Sequence, residues 1–171
     1  MTAQRQERYV MRPRIAVIAL LAGLSLGLVL AWPGFTAQAA TTERVVTNRF
    51  SGLAIEGFDP VAYFVESQPV QGLREFEASA EGVVWRFHNE GNRAFFLAHP
   101  EVYGPQFGGY DPVDVARGVT VAGNPLFWVI SGERLYLFAF EANRDAFIAD
   151  PNHYIEQARA RWPALLQGLA Q

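Results

Sequence analysis

The chain has 171 residues, half of them hydrophobic and 13% aromatic, with 14 basic and 17 acidic side chains for a net charge of −3. Every basic residue is arginine and there is no cysteine, which excludes lysine-based catalysis, a thiol nucleophile, a thiolate metal ligand and a disulfide staple. The basic stripe that tracks nucleic acid is also missing, so no nucleic-acid partner is expected.

The first segment reads as targeting information rather than fold. Arg5, Arg8, Arg12 and Arg14 precede an apolar run from Ile15 to Ala31, and Ala37-Gln38-Ala39 follows as an A-x-A site. Those three parts make a secretory signal peptide over residues 1–39, with an uncleaved N-terminal membrane anchor as the alternative. The expected location is the periplasm, or the periplasmic face of the inner membrane if the anchor is retained. Membrane contact would run only through this segment. Without it the chain keeps 10 arginines and 16 carboxylates, an ordinary acidic surface of about −6.

Residues 40–56 are expected to form an extended lead-in. Asp59-Pro60 then puts a side-chain acceptor before a fixed φ, which suits a turn or the first turn of a short helix. Strands are predicted at Glu75–Ala78 and Val83–Phe87, followed by a helix over Glu90–Ala98 that Pro100 stops. The short, aromatic connection Gly104–Gly108 argues against a flexible linker. Asp111-Pro112 repeats the earlier turn, strands follow at Phe127–Ile130 and Leu135–Phe140, and a second helix spans Glu141–Ala149. Phe96, Leu97, Phe147 and Ile148 are expected to face the core. A last helix is predicted from Pro151 to Arg161, ending before Trp162-Pro163 at the edge of the domain, with residues 164–171 as a tail.

These elements occur twice because the sequence does. Trp85–Tyr103 and Tyr136–Tyr154 align without a gap at an offset of 51, with eight of nineteen positions identical, and GFDPV at Gly57 returns as GYDPV at Gly109. Units 57–103 and 109–154 are each below the size at which a core without metal or disulfide usually holds, so the two should share one core. The expected fold is α+β: two ββα units packed with pseudo-two-fold symmetry into a single domain over residues 57–163.

The order GFDPVAYF, a hairpin ending in WRF, HPEVY, FGGY, LYLF, ADPNHY and a closing RWP resembles the YHS domain family in its exported tandem form. That resemblance implies treble-clef-like units. Metal-binding members carry a cysteine directly after DPV and two more in an F-C-S-x-x-C-x-x-x-F pattern. The matching positions here are Ala62, His88 and Asn92 in the first unit, and Asp114, Ala139 and Asn143 in the second. Every expected thiolate is gone.

What is left offers two candidate sites. A copper or zinc site would have to use His88 with Glu90 and Asp114, though a single imidazole is more often a hydrogen-bonded or surface residue. The paired steps Asn92-Arg93 and Asn143-Arg144 stand at the starts of both helices and could clasp an anionic ligand, with Tyr63 and Tyr110 as polar handles in a cleft between units. Against this, the same residues could cap the helices on a solvent face and pair with Glu90 or Glu141. No nucleophile elbow or phosphate loop is present. The expected function is therefore a non-enzymatic binding module for a small ligand or a protein partner, with no obligatory cofactor. The alternative is periplasmic handling of copper or zinc.

Overall fold

The computed structural model describes residues 43–169 of the chain. The expected signal peptide or anchor lies outside the described residues. Among those residues no helix is long and apolar enough to cross a membrane.

The fold is mixed α and β, built on two small antiparallel hairpins. After the lead-in comes a 3₁₀ turn at Ile55–Gly57 and helix α1, Ala62–Val65. Strands β1 (Leu73–Ala80) and β2 (Val83–Phe87) form the first sheet, followed by α2 (Glu90–Ala98) and α3 (Pro100–Tyr103). A second 3₁₀ turn, Gln106–Gly109, leads to α4 (Pro112–Arg117). Strands β3 (Asn124–Ser131) and β4 (Arg134–Phe138) form the second sheet, and α5 (Glu141–Ala149) and α6 (Pro151–Gly168) complete the chain.

The duplication extends to individual backbone hydrogen bonds. Ser79 pairs with Val84 and Leu73 with Phe87, as Ile130 pairs with Leu135 and Asn124 with Phe138; both hairpins are irregular at the same place, before Glu77 and before Trp128. Both turn through two residues of positive φ, Glu81-Gly82 and Gly132-Glu133, the geometry that matches the right-handed twist of a hairpin. The amide of Asp59 donates to Val70 and that of Asp111 to Val121, while Gly72 donates to Gly57 and Gly123 to Gly109. At Gly72 and Gly123 glycine is required by space. A Cβ would lie 2.5 Å from the Arg86 backbone in the first unit and 2.6 Å from the Leu137 Cβ in the second.

Ile55, Glu56 and Gly57 all have positive φ, as do Phe107, Gly108 and Gly109, where the glycine pair permits the tight turn between units. Each triple sits just before a DPV turn and re-aims the chain into it. The connection between units is thus ordered backbone, as its composition suggested.

Burial divides into two clusters that meet at β4. One contains Tyr63, Trp85, Phe87 and Phe96 from the first unit together with Leu135 and Leu137. The other contains Tyr110, Val113, Phe147 and Ala158 with Tyr136 and Phe138. Alternate side chains of a strand point to opposite faces, so β4 supplies a wall to each cluster and is buried on both. The shared core that the short units demanded is therefore two cores with a common strand.

Three expectations need correction. Leu97 and Ile148 are 51% and 55% exposed, whereas Phe96 and Phe147 are fully buried, because neighbours on a helix diverge by about 100° and only one can face inward. The last helix does not end at Arg161 but runs to Gly168 with Pro163 inside it. Trp162, Leu165 and Leu166 pack on the second cluster and hold the turns beyond the proline despite the backbone hydrogen bond it removes. Finally, β4 stops at Phe138, since Ala139 turns its amide to a carboxylate and leaves the ladder.

Candidate functional site

The buried polar centre of each unit is the aspartate of its DPV turn. Asp59 is fully buried, and four donors from three elements converge on it. Its Oδ1 accepts the amides of Val61 (2.8 Å) and Ala62 (3.3 Å), which closes the turn. Its Oδ2 accepts the His88 amide at the end of β2 and the Asn92 Nδ2 in α2, each at 2.7 Å. Asp111 repeats this with the Val113 amide (2.9 Å), the Ala139 amide (2.8 Å) and Asn143 Nδ2 (2.8 Å).

The second unit adds a carboxylate. Asp114, where the first unit has Ala62, also accepts from Asn143 Nδ2 (3.0 Å) and is paired with Arg117 at 2.9 Å. Burial is the main force raising the Asp111 carboxyl above the usual aspartate range. The bonds from Asn143 and Ala139 oppose that shift, and the Asp114 charge reinforces it.

The elements joined this way are the turn after DPV, the hairpin end and the helix start. They carry Ala62, His88 and Asn92, and Asp114, Ala139 and Asn143, the residues that the sequence resemblance aligns with thiolate positions. In each unit an aspartate bonded to an asparagine and to two backbone segments ties these three elements together. Among the described residues no three His, Cys, Asp or Glu side chains come together as a metal site. His88, Glu90 and Asp114 are not gathered: His88 and Glu90 are exposed in the first unit, while Asp114 is buried in the second.

The expected anion clasp takes a different form as well. Asn92 and Asn143 are not on a solvent face but buried against the aspartates. Arg93 pairs with Glu90 at 2.8 Å, and Arg144 with Glu141 at 3.5 Å and Asp145 at 3.1 Å, so both guanidiniums are neutralised locally. Tyr63 is buried with its hydroxyl donating to the Pro125 carbonyl (2.9 Å), and the Tyr110 hydroxyl donates to the Glu43 carbonyl. Burial, helped by the Asp59 charge, pushes the Tyr63 phenol well above its ordinary value. Both tyrosines tie segments together.

A cleft lies elsewhere. About 1050 Å³ in volume, it opens between the lead-in at Glu43–Thr47, the first hairpin turn, the 104–108 connection and the C-terminal helix. Its walls include Phe107, Trp162 and Leu166, with Arg44, Arg134, Glu43, Glu81 and Glu101 as the charged groups. None of the candidate site residues His88, Glu90, Asn92, Arg93, Asp114, Asn143, Arg144, Tyr63 and Tyr110 lines it. Arg134 and Trp162 come from parts of the chain where the two repeats differ: Arg134 stands where the first unit has Val83, and Trp162 lies in the part of α6 that runs beyond the aligned repeat. The repeat, which was the strongest sequence signal, was blind to them.

No protein-family model, curated protein or solved structure matches this chain.

Proposed function

We propose that this chain is an exported, tandem YHS-like module of pseudo-two-fold design that has replaced a metal staple with a carboxylate–amide clamp. On this reading it is a non-enzymatic binding module for a small ligand or a protein partner, and the cleft beside Phe107 and Trp162 is the place of binding. The observation that carries the reading is the clamp. The positions that would hold metal are occupied by Asp59–Asn92 and Asp111–Asn143 bonds, whose donors and acceptors are already used in holding the fold. A carboxylate committed to three or four hydrogen bonds is a poor nucleophile and a poor ligand, since either role would forfeit those bonds. The cleft, in contrast, is open and joins apolar walls to a few charged groups, the usual composition of a ligand site.

Metal analysis tests it. The purified protein, incubated with Cu(II) or Zn(II) and then desalted, should retain no stoichiometric metal, and His88→Ala should change nothing. Stoichiometric metal that is lost in His88→Ala would replace this reading with metal handling.

A further inference from the structure

One end of the cleft has a chemical preference. Tyr136, on β4, is buried and packs against Phe107 with ring centroids 6.3 Å apart; Phe107 meets Trp162 edge-on at 5.7 Å. Two guanidiniums are close to the Tyr136 phenol. Arg159, and Arg134 two residues before Tyr136 on the same strand face, bring positive charge toward the phenol. Burial raises the Tyr136 phenol, and both arginines oppose that shift. Arg159 is one turn before Trp162 on α6, so the two side chains share a helix side.

Among the described residues neither Arg134 nor Arg159 has a carboxylate partner, unlike Arg86, Arg93, Arg117 and Arg144. Arg134 gives one bond to the neighbouring Glu133 carbonyl (3.0 Å) and lines the cleft half-buried. The cleft's carboxylates, Glu43, Glu81 and Glu101, are all exposed. Charges in full contact with solvent are screened within roughly 8–10 Å at physiological salt, whereas a guanidinium against an aromatic wall keeps more of its field.

Resting on the reading of the cleft as a binding site, we propose that its aromatic end takes an organic anion. The ligand would have one carboxylate, sulfonate or phosphate head held by Arg134, and a flat apolar body laid against Phe107 and Trp162. Guanidinium forks suit such heads, and the aromatic wall supplies the burial that a bare inorganic anion could not use. The exposed glutamates add selectivity against multiply charged anions that extend toward solvent.

Two fluorescent probes that share a naphthyl-phenylamine body separate the terms: 8-anilinonaphthalene-1-sulfonate is anionic, and N-phenyl-1-naphthylamine is neutral. The folded protein should bind the sulfonate saturably at one site, more weakly as salt rises, and should bind the neutral probe at least ten-fold less tightly. Arg134→Gln should weaken the sulfonate about ten-fold and leave the neutral probe unchanged, the size of one charge-assisted contact. Arg93→Gln, on a paired arginine outside the cleft, should leave both unchanged. Trp162→Phe should weaken both probes, with near-ultraviolet circular dichroism showing that the fold is kept. If Arg134→Gln has no effect while Trp162→Phe weakens both, the anion preference is wrong and the binding cleft stands. If neither probe saturates, both fall.

Discussion

The clamp makes a quantitative prediction through Asp59→Asn, a change that preserves shape and removes one acceptor. With the new amide oxygen toward Val61 and Ala62, the turn is kept. The new NH₂ then faces the His88 amide and Asn92 Nδ2, two donors that each had a carboxylate oxygen at 2.7 Å. Asn92 can relieve one clash by turning its own oxygen inward. The His88 amide has no such remedy. An unsatisfied donor costs about 1–3 kcal/mol, and exchanging charge-assisted bonds for neutral ones adds about 1 kcal/mol, so Asp59→Asn should destabilise by about 2–4 kcal/mol. For a domain of this size that is a large part of a total of roughly 5–15 kcal/mol and a drop in Tm of roughly 8–16 °C. Urea unfolding followed by tryptophan fluorescence and far-ultraviolet circular dichroism measures it. A double-mutant cycle with Asn92→Ala should show a coupling of about 1–2 kcal/mol. A loss below about 0.5 kcal/mol, or no coupling, would refute the argument that this aspartate holds the turn, the hairpin and the helix together.

The second clamp should respond to pH. Because the Asp111 carboxyl is raised in the folded state, its contribution to stability is full below the ordinary aspartate range and is lost as pH rises through the raised value. Asp111→Asn should therefore cost more at mildly acid pH than at neutral pH; urea midpoints of both proteins across that interval check the sign, and a cost that grows with pH would contradict it. At neutral pH Asp111→Asn should also cost less than Asp59→Asn, since it relieves repulsion with Asp114. Phe96→Ala and Phe147→Ala should each cost about 3–5 kcal/mol, while Leu97→Ser and Ile148→Ser should stay within about 0.5 kcal/mol. A fragment ending at Tyr103 should lack fixed tertiary structure by NMR, because its core has lost Leu135, Leu137, Trp128 and Ile130; dispersed spectra would refute the borrowed wall.

Much of the architecture was legible because duplication and periodicity are local signals. Helices α2 and α5 and strand β2 fall where the sequence put them, the helices between a hairpin end and a proline and the strand after a turn. What escaped was set by tertiary contact. The identity of Asn92 with Asn143 and of Asp59 with Asp111 was visible, but nothing in one strand or helix says that residues 33 and 32 apart in sequence bond to each other. Surface exposure looked equally plausible for an asparagine at a helix start. Pro163 misled for a related reason, since the stacking of Trp162 on Phe107 and Tyr110 outweighs a local rule about helix ends.

The two copies have also diverged unequally, and the divergence has a physical direction. Unit one closes its clamp with a single carboxylate and borrows its wall from β4, whereas unit two carries Asp114 and Arg117 and extends the counterpart of α3 into the long helix α6. Unit one therefore depends on unit two for burial, and no reciprocal borrowing is seen in the second cluster beyond Val46 and Phe107, from the lead-in and the connection. Those same two segments, with α6, frame the cleft. The non-repeated parts of the chain both complete the second core and build the concavity. The repeated residues hold the fold, whereas the proposed binding cleft lies where the repeat breaks, so a substitution at Arg134 should cost folding far less than one at Asp59 or Asn92.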